Sequence, residues 1–135
     1  MAPFKVLIAG ASIVGLTLAL ILEHAGIDWK LFEKGEIAPQ FGASIGLHPQ
    51  SLRILDQLGV WNDIKKFIVP LRHRLHFDGN GSCFEDSYVL KDLEEILGRP
   101  IIFIERCKVL QILYSRIKDK TKNTRSHRRC YIQGD

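Results

Sequence analysis

Thirty residues near the amino end constrain this chain more than anything else in it. Val6-Leu7-Ile8-Ala9 is an unbroken apolar run, the pattern of a strand buried on both faces of a parallel sheet. Gly10 follows, then a second apolar stretch running from Leu16 to His24. Within it Leu18, Leu22 and Ala25 recur at helical spacing, and Gly26 suits the position just past a helix end. Trp29-Lys30-Leu31-Phe32 is a short strand-like run that ends on Glu33. The order is strand, glycine turn, helix, strand, acid, which is one βαβ unit.

That order has a chemistry. Gly10 lets the chain turn tightly out of the first strand, and Gly15 lets the helix pack close to the sheet. Amides from Ser12 to Gly15 then face outward at the positive end of the helix dipole, a ready site for a pyrophosphate. Glu33 lies 23 residues after Gly10, where a ribose-binding acid belongs, and its charge would repel a 2′-phosphate. The glycine fingerprint departs from G-x-G-x-x-G at its middle position. Ser12 stands there, small enough for backbone to approach a phosphate and able to bond one through its hydroxyl. The competing interpretation is a βαβ unit whose glycines serve packing alone.

Downstream, Gly35 to Gly46 is rich in turn formers and reads as a loop. His48-Pro49 opens a helix with Leu52, Leu55 and Leu58 on one face and Gly59 at its end. Arg74 to Asp78, the turn Gly79-Asn80-Gly81 and Cys83 to Glu85 predict a β-hairpin. Asp92 to Leu97 predicts a short helix stopped by Gly98, and Ile101 to Ile104 a buried strand. From Arg106 a last helix carries Val109, Leu110, Leu113 and Ile117 on one stripe. Arg106, leaving a buried strand at its carboxyl end, is expected to point into the crevice where open α/β sheets bind ligands; an ordinary ion pair with Glu105 or Asp92 is the alternative.

The formal charge of +4 comes from one segment. Residues 116–130 carry seven cations and a single acid, so the rest of the chain is slightly acidic and gives no case for nucleic acid. Val6 to Leu22 is uncharged but only 17 residues long and broken by glycines, short of the ~20 residues that span a bilayer. Neither a membrane segment nor a signal sequence is expected, and a cytoplasmic location fits. Cys83, Cys107 and Cys130 are odd in number and off metal-ligand spacing, which points to a reducing compartment. His48, His73 and His76 show no metal spacing and no assignable carboxylate partner.

Three blocks, VLIAGASIVGLTLAL (6–20), LFEKGEIAPQFGASIGLHPQSLRILDQLG (31–59) and GRPIIFIERCKVLQILYSRI (98–117), together resemble the amino-terminal third of fungal FAD-dependent monooxygenases. The nearest group is the one that epoxidises prenyl chains in meroterpenoid and indole-diterpene biosynthesis, within the aromatic-hydroxylase-like flavoproteins. The resemblance implies an α/β fold: a Rossmann-like FAD-binding βαβ unit with a β-hairpin insertion, incomplete as a domain. It implies FAD as cofactor, NAD(P)H as electron donor and a small prenylated substrate for secondary-metabolite synthesis. It places Gly10, Ser12, Gly15 and Glu33 on the adenosine and diphosphate side. Backbone near Gly46, in the block Phe41 to Gly46, would line the flavin side, and Arg106 would contact the ribityl-phosphate region.

The resemblance divides the chain into a partial FAD-binding domain, 1–118, and a basic tail, 119–135, either disordered or starting a further strand at Tyr131–Asp135. Relatives in this family carry later parts, often with carboxyl-terminal membrane helices, so the chain reads as a truncated product expected to bind FAD weakly and to lack turnover. Two other classes stay open. A small NAD-binding oxidoreductase would use a pair such as Tyr114 and Lys118, four apart on the last helix. A non-catalytic, partner-binding protein would expose apolar surface.

Overall fold

The computed structural model describes residues 4–39 and 42–125, in two compact units. The first comprises residues up to Gly42 and from Arg106 onward; the second is Ala43–Glu105.

In the first unit, β1 (Lys5–Ala9) leads through a glycine turn into α1 (Ile13–His24), and β2 (Asp28–Glu33) returns parallel to β1, with Ala9 opposite Phe32. Helix α5 (Arg106–Arg116) packs against α1, and a 3-10 turn (Lys120–Lys122) precedes β7 (Asn123–Arg125). Strand β7 pairs parallel with β2, giving the order β1-β2-β7. The expected βαβ unit is therefore present. A strand at 123–125 lies inside the stretch read as a basic tail, while Tyr131–Asp135 falls outside the described residues.

The core of this unit comprises Ile8, Trp29 and Leu31 of the strands, Leu16, Ala19 and Leu20 of α1, and Val109, Leu110 and Leu113 of α5, which packs against α1. Two expectations need correction. Strand β1 is buried on one face only: Ile8 is 5% exposed whereas Leu7 is 62% exposed. An all-apolar run cannot report which face lacks a cover. The buried face of α1 is likewise Gly15, Leu16, Ala19, Leu20 and Leu22, and Leu18 and Ala25 are exposed. Because α1 is apolar all round, its periodicity selects no face; the close approach of Gly15 to the strand-end turn does.

Asp28 ties the outer strands to the middle one. Its carboxylate lies 2.9 Å from Lys5 Nζ on β1 and 3.0 Å from Lys122 Nζ ahead of β7. Hydrogen bonds from Lys5 and then Lys122 lower its pKa to about 2.

In the second unit β3 (Ser44–Leu47) pairs antiparallel with β6 (Ile102–Glu105). Helix α2 (Pro49–Gln57) and the single turn α3 (Trp61–Ile64) pack together and bury Leu52, Leu55, Val60, Trp61 and Ile64. The hairpin β4 (Arg74–Phe77) and β5 (Cys83–Ser87) forms as expected, with a bulge at His76/Phe77. Helix α4 (Val89–Leu97) starts three residues before the expected Asp92 and ends on Gly98 in the left-handed region. Strand β3 overlaps the end of the stretch read as loop (35–46) and runs one residue past it, to Leu47. Strand β6 alternates buried Ile102 and Ile104 with Phe103 at 57% exposure, so it is a half-buried antiparallel strand. Among the described residues, no helix is long and apolar enough to cross a membrane.

Candidate dinucleotide site

The site lies where β1 and β2 end side by side. Gly10 has φ +98°, a conformation that side chains disfavour, and its amide donates to Phe32 O on the neighbouring strand at 2.7 Å. The chain then enters α1 with Ser12 as N-cap in extended conformation. Leu16 N donates to Ser12 O at 2.9 Å, so the amides of Ile13, Val14 and Gly15 precede the first intrahelical bond and face out of the helix end.

Gly15 holds this geometry. A Cβ there would stand 1.9 Å from the Gly10 carbonyl oxygen, whereas nothing lies within 4 Å of a Cβ built on Gly10. Helix and turn thus touch through backbone at Gly15, and the space beside Gly10 is open.

Glu33, at the end of β2, closes the other side. Its Oε2 accepts from Ala11 N at 2.6 Å and its Oε1 from Gly35 N at 2.8 Å. Partial burial works to raise its pKa. The backbone donors of Ala11, Gly35 and Lys34, with the Lys34 charge, outweigh it and hold the carboxyl below its usual value. Glu33 is therefore ionised at neutral pH, and each oxygen keeps lone-pair capacity beyond its backbone bond. Just beyond, buried Ala38 sits at φ +56°, a left-handed conformation uncommon outside glycine.

Arg106, the first residue of α5, donates from Nη2 to Ser12 Oγ at 2.8 Å. The Ser12 hydroxyl makes no helix cap and instead receives this guanidinium across 94 residues of sequence. The expected route of Arg106 to the crevice was different. Its preceding strand β6 is not part of the parallel sheet but pairs with β3 in the second unit; Arg106 reaches the glycine turn because α5 packs on α1.

Gly10, Ser12, Gly15, Glu33 and Arg106 are thus brought together in the first unit. Gly46 belongs to the second, in β3 opposite Phe103, whose ring would lie 3.2 Å from a Cβ at that position. Sequence reasoning missed Ala11, whose buried amide anchors Glu33; only the position between the fingerprint glycines hinted at it. Tyr114 and Lys118 do not share a helix, since α5 ends at Arg116 and Lys118 N donates to Glu23 at 3.2 Å. His73 and His76 do have carboxylate partners, Asp86 at 2.6 Å and Glu85 at 2.9 Å across the hairpin. No group of three or more metal-ligating side chains occurs among the described residues.

The arrangement suits a dinucleotide diphosphate: a small-residue turn with open space, outward amides at a helix start, an ionised acid beside them and a guanidinium on the same rim. Comparison with known proteins agrees. The FAD binding domain family matches residues 3–129. The FAD-dependent monooxygenase terM of Tolypocladium album is 47% identical over 120 residues, covering 88% of this chain and 25% of that protein. The FAD-dependent monooxygenase subE of Metarhizium robertsii is 47% identical over 121 residues, 88% of this chain and 37% of that one. The chain thus spans about a quarter to somewhat over a third of the length of these relatives. Among solved structures, Klebsiella pneumoniae HpxO complexed with FAD and uric acid superposes with TM-score 0.76 at 23% identity, over 89% of this chain and 30% of that one. The fold follows that of HpxO, and a family match over nearly the whole sequence places this chain in the FAD binding domain family.

Proposed function

We propose that this chain provides the adenosine-diphosphate cradle of an FAD-dependent monooxygenase that acts on a prenylated secondary-metabolite intermediate, with NAD(P)H as donor. The observation that carries the reading is the Glu33 carboxylate, held ionised between the Ala11 and Gly35 amides beside the Gly10–Gly15 turn. The names of relatives at 42–47% identity support the reaction class.

In this reading Glu33 accepts hydrogen bonds from the ribose hydroxyls through its remaining lone pairs, and its charge rejects a 2′-phosphate. The first-turn amides of α1 meet the diphosphate with the helix dipole behind them. The hydroxyl of Ser12, in place of the usual second glycine, orients Arg106 so that its other N–H groups face the diphosphate and ribityl side. Bound FAD would supply O₂ activation after reduction by a nicotinamide.

Titration of the purified chain with FAD, FMN and NAD⁺, followed by flavin fluorescence and calorimetry, tests the cradle. The reading requires FAD to bind and FMN, which lacks the adenosine half, to bind at least ~10-fold more weakly. FMN binding as well as FAD, or NAD⁺ binding more tightly, would overturn it. Substrate-dependent NAD(P)H oxidation with one oxygen atom from ¹⁸O₂ in the product tests the reaction class.

A further inference from the structure

We propose that Asn80, at the tip of the β4–β5 hairpin, is a site of slow covalent modification, in which its side-chain amide is lost through a succinimide ring. The proposal is independent of the dinucleotide site.

The chemistry is intramolecular. The backbone nitrogen of Gly81 gives its proton to hydroxide and attacks Cγ of Asn80. The new N–C bond forms as the bond from Cγ to the side-chain nitrogen breaks, and that nitrogen, protonated by water, leaves as ammonia. Water then opens the ring at either carbonyl, which leaves an aspartyl or an isoaspartyl linkage at position 80. No oxidant or reductant takes part.

The surroundings select Asn80 among the chain's three asparagines, Asn62, Asn80 and Asn123. Attack needs an unhindered nitrogen, and only Asn80 precedes a glycine. Residues 78–82 are all exposed, and a Cβ built on Gly79 or Gly81 meets nothing within 4 Å. The Asn80 side chain has no hydrogen-bond partner among the described residues, so nothing holds it away from Gly81. By contrast Asp63 N, which follows Asn62, donates to Val60 O at 3.1 Å at the start of α3. Asn123 opens β7 and precedes the β-branched Thr124.

The neighbouring Asp78-Gly79 step could close the same ring, but Asp78 is engaged. Its Oδ1 accepts from Asn80 N at 2.9 Å and from Ser82 N at 2.8 Å. Those bonds, with Gly81 N donating to Asp78 O at 3.1 Å, restrain the turn, so the reaction runs through its open state. A two-stranded hairpin is marginal by itself, and its exposed tip opens at little cost. The modification places a second carboxylate beside Asp78. The isoaspartyl form also lengthens the backbone where Gly81 N meets Asp78 O, and both changes loosen the hairpin.

Incubation of the whole chain near neutral pH, with peptide mass spectrometry that separates aspartyl from isoaspartyl products, tests the site. The expected result is both products at position 80, forming at least about tenfold faster than any change at Asn62 or Asn123. Asp78→Ala, which frees the turn, should speed the reaction about fivefold, the equivalent of one lost hydrogen bond. Asn80→Gln, whose ring would be larger, should abolish it over the same period. No product at position 80, equal rates at the three asparagines, an unchanged rate in Asp78→Ala, or an undiminished rate in Asn80→Gln would overturn the proposal.

Discussion

Gly15→Ala probes the geometry on which the dinucleotide site depends. The added methyl would stand 1.9 Å from the Gly10 carbonyl oxygen and 3.1 Å from its carbon. Ordinary contact begins near 3.4 Å, so α1 and the turn must part by about 1.5 Å locally, and neither atom can escape by changing rotamer. The turn is also held by the Gly10–Phe32 bond at 2.7 Å, which resists the shift. Overpacking of this kind costs about 2–3 kcal/mol. With a urea m-value of about 1.5–2 kcal/mol/M, the unfolding midpoint falls by about 1–2 M. Gly35→Ala is the control, because its Cβ would meet Glu33 Oε1 at an ordinary 3.6 Å, and it should shift stability by less than about 0.5 kcal/mol. A Gly15→Ala protein within about 0.5 kcal/mol of the parent in urea denaturation would refute the backbone-contact argument.

Other expectations follow from the same geometry. Leu31 is fully buried in the middle strand, so Leu31→Ala should cost about 2–5 kcal/mol in the same assay. Glu33 and Asp28 both have lowered pKa values in the folded state, Asp28 at about 2. Their stabilisation is complete above the unfolded carboxyl values of 4.5 and 3.8 and is lost as pH falls through the folded ones. The urea midpoint should therefore drop steadily from pH 5 toward pH ~2 and regain its value on return to pH 7; a midpoint independent of pH over that window would contradict both assignments. Arg106→Gln removes the cation on Ser12 at a partly exposed position and should weaken FAD binding about tenfold with an unfolding midpoint changed little.

The elements legible in the sequence are those where composition and contact agree. The apolar run Val6–Ala9 and the short strand-like run Trp29–Phe32 flank a glycine-led helix, and little else than a βαβ unit accommodates them. Pro49 and Gly98 marked a helix start and a helix end because each has a backbone reason to be there. Strand β3 was hidden because Ser44-Ile45-Gly46-Leu47 has low strand propensity and its edge is specified by Ile102–Glu105, far along the chain. The turn Trp61–Ile64 was equally illegible, since one helical turn carries no periodicity. In the site, the glycines and Glu33 could be read locally. The Ser12–Arg106 contact and the Lys5–Asp28–Lys122 tie could not, being long-range pairings that follow from which helix faces and strand edges meet.

The most direct test of the account is calorimetric binding of FAD to the parent and to Glu33→Gln, with circular dichroism confirming equal folding. Glutamine keeps the shape and removes the charge that the Ala11 and Gly35 amides stabilise. The predicted outcome is at least tenfold weaker binding, the loss of about 1.4 kcal/mol or more expected for a charge-assisted ribose contact. Identical affinities in the two proteins would contradict the assignment of Glu33 and, with it, the cradle.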